Sequence, residues 1–296
     1  MATIPYENGK KMSDLTVLTE AADDAKLFIH DGTGMKCISA GNLKKDIKAL
    51  VNAAQSTIDA IATTGAGAHN SIYRGKNLGT SVTAAQYAAI KAGTFDDMYI
   101  GDYWVIGGVT YRIAAFDYYY RAGDTDCTTH HVTLVPDASM YSHCMNDTNV
   151  TTGAYVGSKM YTEGLNQAKE TINGAFGSAH ILNHRQYLQN AVTDGYASGG
   201  SWYDSTVELM TEQNVYGGKI FSNIQNGTAL ANSYTVDKSQ YPLFAFRPDM
   251  ISNRQWFWLR DVASAAYFAR VNDSGYASCA GASGARGVRP AFSIIG

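Results

Sequence analysis

The chain has 296 residues, enough for one large domain and a smaller one with a sizeable core. Its formal net charge is −3 and only 17% of its residues are charged, so it carries no cationic footprint for DNA or RNA. The opening MATIPYENGKKMSDL lacks an apolar signal core and no later segment approaches a membrane span, so neither a signal peptide nor membrane insertion is expected.

Four cysteines, Cys37, Cys127, Cys144 and Cys279, are spread along the chain without paired-motif spacing, which favours reduced thiols in a protein assembled in a cytosol. Tyrosine is abundant, at 20 residues, beside 29 glycines. Most of these tyrosines are expected to fill strands. A Tyr- and Gly-rich surface also suits recognition, because Tyr offers contact area at low entropic cost.

Leu15-Thr-Val-Leu is a short apolar run, and Lys26-Leu-Phe-Ile-His is a strand candidate. Asp31-Gly-Thr-Gly reads as a hairpin turn returning through Met35-Lys-Cys-Ile-Ser. Gly41-Asn42 punctuates, and a helix is predicted from Leu43, with Leu43, Ile47, Leu50, Ala54, Ile58 and Ile61 at three- and four-residue spacing. That narrow stripe fits self-association into a short helical, coiled-coil stalk; packing against its own hairpin is the alternative. Thr63-Thr-Gly-Ala-Gly-Ala-His-Asn reads as a flexible linker and domain boundary.

Beyond it the pattern is mixed. Ala84–Ala92 is a predicted helix closed by Gly93. Tyr99–Ile106 and Val109–Phe116 are strands joined by Gly107-Gly108, and His131–Val135 is a strand stopped by Pro136. Gly164–Phe176 and His184–Val192 read as helices, and Gly199-Gly200 and Gly217-Gly218 as turns. Near the end, the apolar pieces Trp256–Leu259 and Val288–Ile295 bracket small residues, Tyr, Arg, Asp and Ser. From Leu259 onward there is no Lys, Glu, Gln, Met or Trp. A fixed frame around a surface of restricted chemistry favours recognition over catalysis.

The stretch TVLTEAADDAKLFIHDGTGMKCISAGNLKKDI, Thr16 to Ile47, resembles the virion-anchoring N-terminus of phage tail-fibre and head-fibre proteins. A second resemblance covers about three-quarters of the chain. It is carried by RGKNLG at Arg74–Gly79, GTFDDMYIGDYWVIGGVTYRIAAFDYYY at Gly93–Tyr120 and HHVTLVPD at His130–Asp137. NGAFGSAHILNHRQYL at Asn173–Leu188, ASGGSWYDSTVELM at Ala197–Met210, PLFAFRPDMISNRQWFWLRDVAS at Pro242–Ser264 and GVRPAF at Gly287–Phe292 complete it. Together these resemble the C-type-lectin-fold variable proteins of gut bacteriophages, whose C-terminal segment is a target of diversity-generating retroelements.

The resemblance implies an α+β fold: a virion-anchoring segment over residues 1–42, a helical stalk and linker over 43–67, and a C-type lectin-like head over 68–296 with a variable segment at about 264–286. It implies frame residues at Phe268, Ala269, Val271, Gly275, Ala277, Ala282, Ser283 and Gly287. The diversified, ligand-binding sites are then Tyr267, Arg270, Asn272, Asp273, Ser274, Tyr276, Ser278, Cys279, Ala280, Gly281, Gly284 and Arg286. In such proteins errors fall on the adenines of Asn codons, and each residue at those sites is reachable from AAC by changing adenines alone. Tyr267, Tyr276, Arg270 and Arg286 are the expected energetic anchors, and Asn272, Asp273, Ser274 and Ser278 the adaptable hydrogen-bonding groups.

Phe268 and Val271 are expected to anchor the segment, and Gly275 to permit a turn that other side chains would strain. Gly287–Ile295 would be a closing strand paired with the first strand of the domain, with Val288, Phe292 and Ile294 inward; Pro290 implies an edge or a bulge. Trp256 and Trp258 are assigned to the fold, and Arg260, Asp261 and Arg289 to a structural charge network.

Other chemistry is thinner. Cys127, His130, His131, His143 and Cys144 lack zinc-finger spacing, and adjacent strand histidines point to opposite faces. Asp102, Asp117, Asp204 and Glu208 could pair as acid and base in a polysaccharide-degrading fibre enzyme. The third class is a purely structural virion decoration protein. The reading chosen is a non-enzymatic phage receptor-binding, host-adhesion protein without cofactor or metal. It would be trimeric and held in the virion as a fibre through its N-terminal segment, and would contact a host protein or glycan receptor. It would be assembled in the host cytoplasm, with no nucleic-acid partner.

Overall fold

The computed structural model describes residues 24–30, 33–61, 65–222 and 239–296. The chain falls into two units, Met1–Ala62 and Thr63–Gly296, and is a mixed α+β protein. In the first unit, β1 (Lys26–His30) and β2 (Met35–Ser39) form the expected antiparallel hairpin, with Phe28 opposite Cys37. α1 (Ala40–Ile61) begins at Ala40 rather than Leu43. The reason is a cap: Asn42 N–H donates to Ser39 Oγ at 3.2 Å, so Gly41 and Asn42 lie inside the first turn. Ile47, Leu50 and Val51 on this helix are exposed. The Leu15–Leu18 run and the side chains of Ala54, Ile58 and Ile61 lie outside the described residues.

The second unit opens with α2 (Ala66–His69), whose Ala68 and His69 are buried. His69 Nδ1 lies 2.5 Å from the Met98 carbonyl, so part of the stretch expected to be a flexible linker is instead tied into this unit. β3 (Asn77–Gly79) follows, then α3 (Ala84–Ala92). Thr83 and Gln86 cap that helix reciprocally, and Gly93 ends it at φ +69°. β4 (Tyr103–Ile106) and β5 (Val109–Phe116) join through Gly107 and Gly108 at φ +59° and +81°, the doubled positive φ of a type I′ hairpin. β6 (Val132–Pro136) and β7 (Tyr141–His143) precede a π-helical turn at Met160–Gly164 and α4 (Asn166–Phe176).

Residues 184–192 are not helical. β8 (His184–Thr193) and β9 (Tyr196–Ser205) form a long antiparallel hairpin, turned by Asp194 and Gly195 at φ +52° and +82°. Gly199 and Gly200 sit inside β9 rather than at a turn. Gly200 lies against the Tyr187 ring of the opposing strand, where a Cβ would collide. β10 (Val207–Leu209), α5 (Glu212–Tyr216) and α6 (Pro242–Phe246) lead to β11 (Phe257–Val262), β12 (Tyr267–Val271) and β13 (Ala277–Gly281). β14 (Arg286–Val288) and β15 (Pro290–Ile294) end the chain.

Two sheets organise the unit. The larger runs β10-β15-β6-β5-β4-β3 and the smaller β13-β12-β11-β14-β7. The expected single closing strand is therefore two strands in different sheets. β15 pairs with β10 and β6, not with the first strand of the domain, and Pro290 opens it at a position where a missing N–H is tolerated. The smaller sheet is covered on both faces, because period-two alternation sends successive side chains of β11 to opposite sides. Phe257 and Leu259 join the main core with Ile113, Leu134, Phe176 and Phe292. Trp258 and Val262 join a second core with Met145, Tyr155, Met160 and Leu165, supplied by the segment between β7 and α4.

Candidate ligand-binding face

The positions expected to be diversified cluster around β12, β13 and their connections, at one edge of the smaller sheet. Frame residues Phe268, Ala269, Val271 and Ala282 are fully buried, and Gly287 is buried against Ser139 and the Trp256 carbonyl. Between them stand Tyr267, 44% exposed, and Tyr276, 72% exposed. β12 and β13 are in unbroken register, with Phe268 opposite Ala280 and Arg270 opposite Ser278. These four share one face, on the side of the second core. Tyr267, Cys279 and Gly281 belong to the other face, together with Ala269 and Val271. The pleat thus divides the expected binding set between two faces of an edge.

The tip between β12 and β13 is built by backbone demand. Gly275 has φ +91°, as its expected turn role requires. Asn272 Oδ1 accepts the N–H of Ser274 at 3.0 Å and of Tyr276 at 2.8 Å, while Gly275 N–H donates to the Asn272 carbonyl. Ser252 Oγ donates to the Asp273 carbonyl, and Tyr216 OH to that of Gly275. Asn272 therefore turns its side chain into the hairpin, not toward a ligand. Asp273, Ser274 and Tyr276 remain exposed on this braced tip.

Small residues in the set are small for different reasons. Ala280 packs against the second core. A Cβ at Gly281 would lie 2.5 Å from Asn149 Oδ1, which accepts both the N–H and the hydroxyl of Ser283. Gly284 closes a turn by donating its N–H to the Gly281 carbonyl. Burial raises the Cys279 thiol pKa, partly offset by the Arg270 charge.

Arg270 departs most from the expected exposed anchor, being only 8% exposed. Its guanidinium carbon lies 3.5 Å above the centre of the Trp256 ring, and Nε is 3.4 Å from Ser278 Oγ. Arg286 approaches the same indole at 5.3 Å and donates Nη1 to the Ala285 carbonyl at 2.6 Å. Burial first, and then Arg286, lower the Arg270 pKa. Trp256, assigned to the fold from sequence, is 38% exposed and forms the floor under both arginines; Trp258 is fully buried as expected. Its two-residue spacing from Trp258 places Trp256 on the same sheet face, which the sequence did contain. Exposure of one ring and burial of the other depends on the covering segment.

The chain matches no protein-family model, no curated protein and no solved structure. The remaining chemistry-bearing residues must therefore be judged from their surroundings. Asp102 is buried and accepts from Arg74, Lys76 N–H and Tyr99 N–H. Asp117 holds His130 and the His131 backbone, and Asp204 pairs with Arg185. Glu208, its carboxyl pKa raised by burial, accepts from Tyr155 OH at 2.7 Å. Each of these carboxylates has a structural partner, and none is joined to another as an acid–base pair. Among the described residues no group of three His, Cys, Asp or Glu side chains gathers to hold a metal, so Cys127, His130, His131, His143 and Cys144 form no such cluster.

Arg289 stands apart from Arg260 and Asp261 in the expected charge network. Arg289 is buried and donates to the carbonyls of Pro136, Ile251 and Met250, with its pKa lowered to about 10 by burial. Asp261 accepts Glu212 N–H at 2.7 Å and lies within the field of the Arg260 charge.

Proposed function

We propose that this chain is a phage receptor-binding, host-adhesion protein whose second unit is a C-type lectin-like head displaying a diversified ligand-binding surface. The observation that carries the reading is the close juxtaposition of core and solvent-facing side chains around β12 and β13. Buried Phe268, Val271 and Ala282 stand beside solvent-facing Tyr267 and Tyr276, so contacts can be exchanged without disturbing the core. Binding would be non-covalent, through the aromatic, Arg and Ser side chains of the edge. The first unit would anchor the protein in a virion fibre, head or tail. The exposed apolar residues Ile47, Leu50 and Val51 on α1 support self-association of a stalk, here proposed as a trimer. Many copies per virion would convert weak single sites into avid attachment.

The test is adsorption. The double variant Tyr267→Ala/Tyr276→Ala is expected to abolish attachment to host cells while leaving the melting temperature nearly unchanged. Undiminished adsorption would refute the reading, and a large loss of stability would show the two rings to be structural. A neighbouring reverse transcriptase gene with an Asn-rich template repeat would be independent support.

A further inference from the structure

The arginines of the second unit differ in how their charge is met. Arg74, Arg112, Arg185 and Arg247 each bind an aspartate, and buried Arg289 is satisfied by three carbonyls. Arg270 and Arg286 do neither. Among the described residues no carboxylate forms an ion pair with either guanidinium; Arg270 Nη1 and Arg286 Nε are buried donors without a hydrogen-bond partner. Both cations lie over the single Trp256 ring.

This arrangement is costly unless something completes it. Two partly desolvated like charges repel, and a buried donor left unpaired forfeits its hydrogen bond. An oxyanion meeting both guanidinium groups would remove the repulsion and supply acceptors, since the planar guanidinium fork matches a carboxylate. Trp256 leaves ring surface in solvent, suited to the apolar face of a sugar ring, and Ser278 beside Arg270 offers a hydroxyl. The Asp273 charge, which also acts on Arg270, opposes an anion there, and the paired arginines must outweigh it.

We propose that Arg270 and Arg286, seated on Trp256, form a subsite for the carboxylate of an acidic glycan. The proposal rests on the reading of this edge as a ligand-binding surface and names the chemistry it selects.

The experiment uses the full chain and a panel of defined probes: glucuronate, galacturonate and N-acetylneuraminate, with glucose as the neutral control. Polygalacturonate and poly-glutamate compare glycan with polypeptide. Binding is read by tryptophan fluorescence and by calorimetry at low and high salt. Expected is salt-sensitive binding of at least one carboxylated sugar and of its polymer form, with none for glucose. Arg270→Ser should weaken this by about tenfold or more, the loss of one charge-assisted contact, and Arg286→Ser should act alike. Arg270→Lys, which keeps the charge but not the fork, should recover only part. Because Arg270→Ser also gives up the stacking on Trp256 and the Ser278 contact, its melting temperature is read alongside; the less buried Arg286→Ser, folded and melting near the parent, separates a binding defect from misfolding.

Absence of binding to every carboxylated sugar, or equal binding by Arg270→Ser, would overturn the proposal. Preference for poly-glutamate over polygalacturonate would overturn the glycan assignment. Adsorption separates this failure from that of the parent reading. If Arg270→Ser/Arg286→Ser adsorbs normally while the double tyrosine variant does not, the anion subsite is wrong and the adhesin stands. If neither variant impairs adsorption, the adhesin reading falls as well.

Discussion

Replacing Phe268 and Tyr276 separately by alanine asks whether the edge of the smaller sheet really interleaves core and surface. Phe268 is 0% exposed and packs among Trp258, Val262, Ala282 and Val288, beneath the segment carrying Tyr155 and Leu165. Its truncation removes a buried ring and leaves a cavity, at a cost of about 3–5 kcal/mol. For a unit the size of Thr63–Gly296, each kcal/mol moves the melting temperature by roughly 2–4 °C, so Phe268→Ala should melt roughly 6–20 °C lower. Tyr276 is 72% exposed and its ring belongs to neither core. Tyr276→Ala should stay within about 0.5 kcal/mol of the parent. The assay is urea and thermal unfolding followed by near-ultraviolet circular dichroism. Comparable losses for the two variants would refute the division into frame and replaceable positions; so would a Phe268→Ala protein as stable as the parent.

Two further outcomes test the supports of the site. Burial first, and then Glu212, raise the Asp261 pKa from 3.8 to about 6, against the Glu212 N–H bond and the Arg260 charge. The folded state therefore prefers the protonated acid. Its stabilisation is complete below the unfolded pKa and is lost as pH rises through about 6, so between pH 4 and 7 the parent should lose about 2 kcal/mol relative to Asp261→Asn. Urea unfolding of both proteins across that range checks it; a difference independent of pH would contradict the assigned burial. Gly275→Ala places a Cβ on a residue at φ +91°, 3.2 Å from the Ser252 backbone nitrogen. It should cost about 1–2 kcal/mol and displace Tyr276; thermal melts matching the parent would show that the tip is not held in the left-handed region.

Local signals are legible where one residue type answers one backbone need. Gly107-Gly108 turned β4 into β5, and Gly93 ended α3, because positive φ selects glycine whatever surrounds it. The same kind of signal stands at Asp194-Gly195. The stretch HRQYLQNAV suggests a helix when taken alone, yet the Asp-Gly pair that follows it is a hairpin signature, and β8 and β9 pair across it. Ser39 as a helix cap is less legible, because a single hydroxyl has a local role that only the donor it meets identifies.

The sequence by itself determined that the closing segment mixes large apolar anchors with small and polar residues, and that a turn at Gly275 calls for glycine. Phe268, Val271 and Gly275 took the roles expected of them. What only the tertiary structure decided was where the replaceable positions point. Pairing of β12 with β13 divides them between two faces, Asn272 turns inward to hold its own turn, and Arg270 is buried over Trp256 beside Arg286. Sequence periodicity specifies alternation along one strand. It does not carry the distance between Arg286 and Trp256, or the coverage of one ring and exposure of another, because those depend on contacts between segments remote along the chain.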